Sequence, residues 1–270
     1  MNEHYVNLIN ILRGYGSAAV AFSGGVDSTL LLRAAQEALG EKAVAVTAAI
    51  EAVPERELQA AKDFCASLGV HQIIVRPDVM ALPGFLENPP DRCYHCKRRI
   101  FSALMEAARE SGCAVLAEGT NLDDEGDYRP GMRALQELGV KSPLREAGMT
   151  KAEIRACSKA LGLGTWDKPS CACLASRFAY GERITPEGLR RVDAAEAFLH
   201  DLGFRQVRVR VHGDLARVEA EPEDIPRLAA PEVRAAVDEK LRATGFAYAA
   251  LDLRGYRTGS MNETLKKEHR

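Results

Sequence analysis

The sequence predicts an α/β protein: a larger domain with a doubly wound parallel sheet, followed by a smaller α+β C-terminal domain. In the first half, short apolar runs alternate with helical patterns, which is typical of parallel strands joined by right-handed crossovers. After Lys141 this alternation gives way to helices and a pair of strands with period-two patterning. We therefore expect two domains, residues 1–165 and residues 166–270.

The first domain is predicted to contain four strands and three helices. Each strand is a short apolar run bounded by turn residues, and each helix has the apolar period of an amphipathic helix. A proline in its first turn opens the second helix. The predicted strands are Ala18–Phe22, Ala43–Ala48, Gln72–Val75 and Ala114–Ala117, and the predicted helices are Thr29–Leu39, Pro54–Leu68 and Arg92–Ser111.

The second half begins with a capping box, Thr150–Glu153, which predicts a helix ending near Leu161. A loop over residues 162–184 follows, and then a helix that opens at Thr185 and Pro186. Alternating apolar and polar residues predict an antiparallel pair of strands and a final strand. These strands are expected over Gln206–Val211, Ala216–Ala220 and Ala247–Leu253.

The composition excludes several classes of protein. The chain has 270 residues and a net charge of −2, so we expect no nucleic-acid-binding domain of high pI. No apolar run is long enough to span a bilayer, and the first residues lack the basic and apolar regions of a signal peptide. We expect a cytoplasmic protein. Its odd number of cysteines, seven, favours free thiols, metal or sulfur chemistry over disulfides.

The segment Ser23–Ser28, SGGVDS, lies between the first predicted strand and the first predicted helix. Two glycines permit a tight turn and a close approach to a ligand. The amides and the dipole at a helix start favour an anion there, and Ser23 and Ser28 add hydroxyl groups. The loop has no lysine, unlike the G-x-x-x-x-G-K-[ST] loop. This suits a site that holds and releases pyrophosphate, whereas the alternative is a plain glycine-rich turn.

Polar residues also follow the fourth predicted strand. Glu118–Asn121 is succeeded by Asp123, Asp124 and Asp127. Oxygen ligands of this kind suit Mg²⁺, which retains waters and bridges phosphates. A solvated acidic loop is the alternative, because aspartate is common in turns. We expect Mg²⁺ here, with Asp124 and Asp127 as ligands.

Four of the cysteines lie in two closely spaced pairs. Cys93 and Cys96 form a C-x-x-C at a helix start, and Cys171 and Cys173 form a C-x-C in the later loop. A Cys₄ zinc site is one interpretation, although C-x-C is a poor zinc knuckle. An iron–sulfur cluster with one open iron position is a second. A reactive sulfur donor is a third. The remaining three, Cys65, Cys113 and Cys157, are predicted to be inert core residues.

The SGGVDS segment resembles the signature of the PP-loop ATP pyrophosphatases, the superfamily of NAD synthetase, GMP synthetase, asparagine synthetase and tRNA thiolases. Its members cleave ATP between the α and β phosphates and adenylate a substrate oxygen. The resemblance implies ATP and Mg²⁺ as cofactors. The residues then expected to bind the nucleotide are Ser23, Gly24, Gly25, Asp27, Ser28, Gly119, Thr120 and Asn121.

Longer motifs resemble the LarE-type sulfur transferases over nearly the whole chain. This family makes the nickel-pincer nucleotide cofactor of lactate racemase. It adenylates a carboxylate of pyridinium-3,5-biscarboxylic acid mononucleotide and converts it to a thiocarboxylate. The matching segments are residues 88–97 (NPPDRCYHCK), 119–121 (GTN), 127–131 (DYRPG), 168–177 (KPSCACLASR) and 253–262 (LRGYRTGSMN).

The resemblance places the sulfur donor at Cys173, in the CLASR segment. In the best-known members this cysteine gives up its own sulfur and becomes dehydroalanine. The present chain also has Cys93 and Cys96, whose spacing can hold adjacent ligands of one cluster. We therefore favour a four-iron cluster on Cys93, Cys96 and Cys173, with the sacrificial cysteine as the alternative and Cys171 as a spare thiol.

The second domain is expected to hold the substrate nucleotide. Arg208 and Arg210 alternate with valines on one predicted strand, so both guanidinium groups share a face and could clamp a phosphate. An ordinary solvated strand face is the alternative. By resemblance, Ser176 and Arg177 also contact phosphate, and Glu196 lies near the donor.

Two other functions compete with this one. A tRNA thiolase of the same superfamily would need an RNA-binding module or a basic surface, and the sequence has neither. A non-catalytic iron or zinc protein would have no need for an intact pyrophosphate loop. A homo-oligomer, with a hexamer as one form, is expected from the resemblance, and no membrane or nucleic-acid partner is expected.

Overall fold

The computed structural model describes residues 3–126, 130–257 and 259–260. Within these ranges it contains two sheets and ten α-helices. The strands are β1 Ala18–Ala21, β2 Ala43–Ala48, β3 Gln72–Val75, β4 Val115–Ala117, β5 Val207–His212, β6 Leu215–Ala220 and β7 Tyr248–Leu251. The helices are α1 Glu3–Tyr15, α2 Val26–Leu39, α3 Glu55–Leu68, α4 Arg92–Glu110, α5 Pro130–Glu137, α6 Pro143–Glu146, α7 Lys151–Ala160, α8 Pro186–Asp201, α9 Ile225–Ala229 and α10 Pro231–Ala243.

Strands β1 to β4 form a parallel sheet in the order β3-β2-β1-β4. In the central strand β1, Ala18 pairs with Ala43 of β2 and with Val115 of β4. Successive residues of this strand, Ala19 and Val20, pack in different apolar clusters, as the pleat of a strand requires. The predicted parallel sheet is confirmed.

Helices cover both faces of this sheet. On one face α1, α2 and α3 pack around Val20, with Leu8, Leu30 and Cys65 in one buried cluster. On the other face Leu104 of α4 packs against Ala19 and residues of β2. The doubly wound arrangement predicted from the alternating pattern is therefore confirmed.

The second sheet has the order β5-β6-β7. β5 and β6 are antiparallel and joined by a tight turn at Gly213, whose positive φ of 58° suits glycine. β7 runs parallel to β6 and is shorter than the predicted Ala247–Leu253. Helix α8 packs on β5 through buried residues such as Leu189 and Val192. The small α+β domain is confirmed in outline.

The chain divides into two compact units. The first comprises the residues up to Ile50, Glu55–Leu82 and Asp91–Cys171, and the second comprises Glu51–Pro54, Pro83–Pro90 and the chain from Ala172 onward. Two short excursions of the first half thus belong to the second unit, and the domain limits 1–165 and 166–270 stay a prediction. Among the described helices, none combines the length and the apolar character that crossing a membrane requires.

Helix α7 begins at the predicted capping box. The Thr150 hydroxyl accepts a hydrogen bond from the Glu153 N–H, and the Glu153 carboxylate accepts one from the Thr150 N–H at 2.9 Å. We predict that Thr150→Ala lowers the free energy of unfolding by about 1 kcal/mol, because an N-terminal amide of the helix loses its acceptor. Urea denaturation checks this. Ser102→Ala, at an exposed position within α4, is the control and should change stability by less than about 0.5 kcal/mol; equal effects of both substitutions would contradict the prediction.

Candidate active site

The glycine-rich loop leaves β1 and enters α2 directly. Helix α2 begins at Val26, so the predicted start at Thr29 was three residues too late. The Thr29 N–H donates to the Gly25 carbonyl at 2.9 Å, which closes the first turn and places Asp27 and Ser28 within it. Gly25 occupies the N-cap position and provides no side-chain cap. The first amides of α2 are therefore available to an anion.

Two serine hydroxyls close the loop on itself. Ser23 Oγ and Ser28 Oγ lie 3.1 Å apart, and the Ser28 hydroxyl donates to the Gly25 carbonyl at 3.2 Å. The Ser23 N–H donates back to Ser28 Oγ at 3.3 Å. Gly24 has φ +71°, in the left-handed region that favours glycine. The hydrogen bonds of these two hydroxyls therefore define the conformation of the loop. The left-handed backbone at Gly24 contributes too, and residues other than glycine adopt it only at a cost in free energy.

The end of β4 reaches the same loop, because β1 and β4 are parallel neighbours and their carboxyl ends lie at the same edge of the sheet. A Cβ atom on Gly119 would lie 3.1 Å from the Ser28 nitrogen and 3.2 Å from the Asp27 Cβ, so only glycine permits this approach without movement. The Asn121 side-chain amide donates to Asp27 Oδ1 at 3.2 Å. Sequence reasoning thus selected two segments, far apart in the chain, that do meet in the structure.

Glu118 and Thr120 have a structural role, because they stabilise the turn after β4. The buried Glu118 carboxylate accepts hydrogen bonds from the Thr120 N–H and hydroxyl and, at 2.5 Å, from the Ser142 hydroxyl. These bonds fix the turn after β4. The Thr120 hydroxyl donates to Glu118, so its side chain supports the turn that presents Gly119 and Asn121.

Two lysines from distant segments contact the loop, and sequence reasoning missed both. Lys151 Nζ lies 2.5 Å from Asp27 Oδ2, and Lys168 Nζ donates to the Gly24 carbonyl at 3.0 Å and to Glu57 Oε2 at 2.6 Å. The capping box did place Lys151 at a helix start, but nothing in the sequence linked that start to the loop. The SGGVDS motif itself contains no lysine, and the fold brings two positively charged side chains to it from elsewhere in the chain.

The acidic segment after β4 contributes two described aspartates. Asp124 Oδ2 accepts a hydrogen bond from the Asn121 N–H at 3.1 Å, and Asp123 Oδ2 accepts one from the Lys151 N–H at 2.8 Å. Asp127, the other predicted metal ligand, lies outside the described residues. Among the residues that are described, no three His, Cys, Asp or Glu side chains are grouped to hold a metal ion.

Magnesium at a nucleotide needs only one or two carboxylates, because phosphates and water complete its coordination. Asp27 and Asp124 fit this requirement, since both carboxylates contact the same residue, Asn121. They are hard oxygen donors at or near the uncapped start of α2.

In the second unit, Cys173 immediately precedes a short 3₁₀ turn, Leu174–Arg177, and its side chain is exposed. The Leu174 N–H donates to the Ala52 carbonyl at 2.8 Å, and the Ser176 N–H donates to the Cys173 carbonyl. These bonds fix the backbone on both sides of the thiol. We call residues 172–177 the cysteine turn.

Arg177 is the buried centre of the cysteine turn. Its guanidinium donates to the Ala172 and Cys173 carbonyls at 2.8 and 3.1 Å and forms a two-point ion pair with Glu196 at 2.9 and 2.7 Å. Glu196 also accepts a hydrogen bond from the Val209 N–H of β5. Arg177 is 1% exposed, so its contacts hold the turn that carries Cys173, and the phosphate contact expected of it stays a prediction.

The two arginines of β5 are also buried. Arg210 pairs with Glu219 at 2.9 Å and donates to the Ser176 carbonyl at 2.8 Å. Arg208 donates to the Val207 carbonyl and lies over the Tyr256 ring, 5.1 Å from its centroid. Arg210 thus supports the cysteine turn from β5, and a phosphate clamp formed by both arginines stays a prediction.

Other predicted features have structural explanations. Asn88 adopts φ 54° and is fully buried, and its side-chain amide donates to the Phe178 and Ala179 carbonyls just after the cysteine turn. Cys65 is buried, which raises its pKa to about 11, so this thiol is inert at neutral pH.

Cys93 and Cys96 are half-buried near the start of α4, and Cys171, like Cys173, is exposed. None of the seven cysteines, all of which lie within the described residues, forms a disulfide. Within the first unit, Arg92 Nη2 lies 3.8 Å from the Cys93 sulfur. The structure therefore has a C-x-x-C pair on one helix of the first unit and the exposed Cys173 thiol in the second unit, and the donor role of Cys173 stays a prediction.

The chain is similar in sequence to several known proteins. The family described as Queuosine biosynthesis protein QueC matches residues 17–84, which include the glycine-rich loop and strands β1 to β3. An uncharacterized protein of Synechocystis is 42% identical over 93% of both chains. The pyridinium-3,5-bisthiocarboxylic acid mononucleotide synthase of Lactiplantibacillus plantarum is 38% identical over 96% of this chain and 94% of its own. The argininosuccinate synthase of Halobacterium salinarum is 28% identical over 50% of this chain and 37% of its own.

A parallel sheet whose first strand enters an uncapped, serine-bridged helix start defines the PP-loop class of ATP-utilising proteins. The two most extensive of these similarities run through both units, well beyond the loop. The chain belongs to the family of the pyridinium-3,5-bisthiocarboxylic acid mononucleotide synthase, the LarE-type sulfur transferases.

The close approach of Gly119 to the loop yields a test. We predict that Gly119→Ala weakens the binding of inorganic pyrophosphate roughly 5- to 150-fold, since overpacking of about 1–3 kcal/mol displaces the first turn of α2. Isothermal titration calorimetry measures this. Gly164→Ala is the matched control, because a Cβ there would meet nothing within 4 Å. Native affinity in Gly119→Ala would contradict the assigned position of the pyrophosphate.

Proposed function

We propose that the protein is an ATP-dependent sulfur transferase that adenylates a carboxylate of pyridinium-3,5-biscarboxylic acid mononucleotide and converts it to a thiocarboxylate. The product would serve the nickel-pincer nucleotide cofactor of lactate racemase. The observation that carries the proposal is the uncapped start of α2, with its bridging serines and Lys151. The name of the Lactiplantibacillus relative, which specifies a bisthiocarboxylate mononucleotide, supports the substrate.

The chemistry requires two steps because a carboxylate is a poor electrophile. A carboxylate oxygen attacks the α-phosphorus of ATP, and pyrophosphate leaves. The acyl adenylate then accepts a thiolate at its carbonyl carbon, and AMP leaves. If Cys173 is the source of sulfur, its Cβ–S bond breaks as the Cα proton is lost, which leaves dehydroalanine and releases the thiocarboxylate.

The first unit would perform the activation. The amides of the glycine-rich loop and the hydroxyls of Ser23 and Ser28 would bind the departing pyrophosphate, and Lys151 would offset its charge. Asp27 and Asp124 would hold Mg²⁺, which would offset the negative charge of the phosphates. Asn121 keeps both carboxylates in place through hydrogen bonds.

The second unit would present the sulfur and bind the mononucleotide phosphate. The proposed phosphate contacts are Arg208 and Arg210 of β5 and Ser176 and Arg177 of the cysteine turn. Arg177 and Arg210 both donate hydrogen bonds to Ser176. Since Arg177 and Arg210 also bind backbone carbonyls, their substitution would disturb the position of Cys173 as well as the phosphate.

The source of the sulfur has two candidates. A four-iron cluster on Cys93, Cys96 and Cys173 could carry an external sulfide, and Cys173 could instead donate its own atom. Among the described residues no three His, Cys, Asp or Glu side chains are grouped to hold a metal ion, and the two-step reaction given above needs no cluster. Both candidates require Cys173.

We also propose a cytoplasmic homo-oligomer, with a hexamer as one form and no membrane or nucleic-acid partner. The family relationship supports the choice of a small-molecule substrate over a tRNA thiolase or a non-catalytic metal protein. A tRNA thiolase would incorporate sulfur into transcripts, so an assay with unmodified tRNA separates these functions.

The products of ATP test the activation step. The protein with Mg²⁺ and the mononucleotide should release AMP and pyrophosphate in equal amounts. Ser28→Ala should slow this release roughly 5- to 150-fold, because losing the bridging hydroxyl costs about 1–3 kcal/mol. Ser158→Ala is the matched control, since Ser158 is fully buried in α7 and its hydroxyl has no partner within the described part of the chain. Stoichiometric ADP would contradict the proposal.

The thiol of Cys173 is tested separately. Cys173→Ser should stop formation of the thiocarboxylate and leave release of pyrophosphate intact, because only the second step needs the thiol. Mass spectrometry of the nucleotide product measures this, with Cys171→Ser as the control on the neighbouring exposed thiol. Thiocarboxylate made at the native rate by Cys173→Ser would contradict the assignment.

Anaerobic purification decides between the two sulfur sources. Iron and acid-labile sulfide that disappear in Cys93→Ser and Cys96→Ser, together with repeated turnover on sulfide, would support the cluster. A colourless protein that performs one turnover and emerges lighter by the elements of H₂S at residue 173 would instead assign the sulfur to Cys173.

A further inference from the structure

Lys168 joins the segment before the cysteine turn to the glycine-rich loop. Its ammonium group lies 3.0 Å from the Gly24 carbonyl and 2.6 Å from Glu57 Oε2. The Lys168 and Glu57 side chains are only 22% and 14% exposed, so solvent competes weakly for this ion pair. Neither residue takes part in a step of the proposed reaction.

The backbone that carries Lys168 is held independently of the loop. The Arg155 guanidinium donates to the Trp166 carbonyl at 2.7 Å and to the Lys168 carbonyl at 3.0 Å. The Lys168 N–H donates to the Thr165 carbonyl at 3.0 Å. The backbone of Lys168 is therefore held in place independently of the glycine-rich loop. The carboxylate of Glu57, on α3, holds the ammonium group.

The peptide between Gly24 and Gly25 is the group that Lys168 controls. In a trans peptide the C=O and the following N–H point in opposite directions. A bond from Lys168 to the Gly24 carbonyl therefore turns the Gly25 N–H away from Lys168 and Glu57. Two adjacent glycines would otherwise let this peptide rotate at little cost, because neither has a Cβ atom.

We propose that Lys168 is a positioning residue that orients the Gly25 N–H toward the pyrophosphate of ATP. The inference rests on the proposed function, and it adds the residue that sets the loop conformation before ATP arrives. Glu57 holds Lys168 in place, so the ammonium group stays on the carbonyl side of the peptide. Preorganised amides of this kind cost no reorganisation when the anion binds.

The test measures pyrophosphate affinity and the state of the loop without ligand. Lys168→Met should weaken binding of inorganic pyrophosphate about 10-fold, the effect of losing one charge-assisted hydrogen bond. In protein labelled with ¹⁵N-glycine, the Gly25 amide resonance should move in the ligand-free variant, and Lys168→Arg should restore both readouts in part. Lys159→Met is the matched control, because Lys159 lies over the Trp166 ring at 4.5 Å and belongs to the same region.

The outcomes separate this inference from the proposed function. If the native protein does not bind pyrophosphate, the proposed function fails. If it binds and Lys168→Met binds equally well, the inference fails. If affinity falls but the Gly25 resonance of the ligand-free protein stays in place, Lys168 contacts phosphate directly and the positioning role is overturned. Native-like melting of Lys168→Met and Lys168→Arg ensures that the comparison is made on folded protein.

Discussion

The first turn of α2 has backbone N–H groups that no acceptor within the helix can satisfy, and no side chain caps them at Gly25. Several other features of the first unit follow from this constraint. Gly24 adopts the left-handed conformation, Gly119 lacks the side chain that would block the approach of β4, and Ser23 and Ser28 bridge the loop. A helix start in this state is complementary to an anion, and pyrophosphate is the anion that fits an ATP-utilising family.

Charged side chains connect the glycine-rich loop to other segments of the first unit. Asp27 contacts both Lys151 and Asn121, so one carboxylate connects the loop to α7 and to the turn after β4. The negative charge of Asp27 suits a divalent cation, and the positive charge of Lys151 suits a departing phosphate. In the second unit, two buried Arg–Glu pairs, Arg177 with Glu196 and Arg210 with Glu219, hold the turn on which Cys173 is exposed. Removing one member of such a pair would leave an uncompensated buried charge.

Local sequence patterns predicted the sheet well, because buried parallel strands are short apolar runs bounded by turns. Strands β2 and β3 were predicted to the residue, and the loop and the end of β4 were brought together as expected. Helix α1 was missed even though Tyr5, Leu8 and Leu12 repeat at helical spacing on its buried side. This spacing is the sequence signal from which α1 could have been predicted.

The contacts of Lys151 and Lys168 could not be predicted in the same way. They join residues separated by more than a hundred positions, and no local pattern encodes such a pairing. The burial of Arg208 and Arg210 was likewise hidden, because period-two alternation shows that two residues share a face and does not show what covers that face. Glu219, the partner of Arg210, lies on the neighbouring strand β6, so the pair depends on register.

In the proposed reaction, a substrate carboxylate attacks the α-phosphorus of ATP at the glycine-rich loop. Mononucleotide labelled with a heavy oxygen isotope in its carboxylates tests this directly. Mass spectrometry of the AMP released in one turnover should show one heavy oxygen on its phosphate, since the carboxylate oxygen stays with AMP when sulfur displaces it. Unlabelled AMP, or label in inorganic phosphate, would contradict the account.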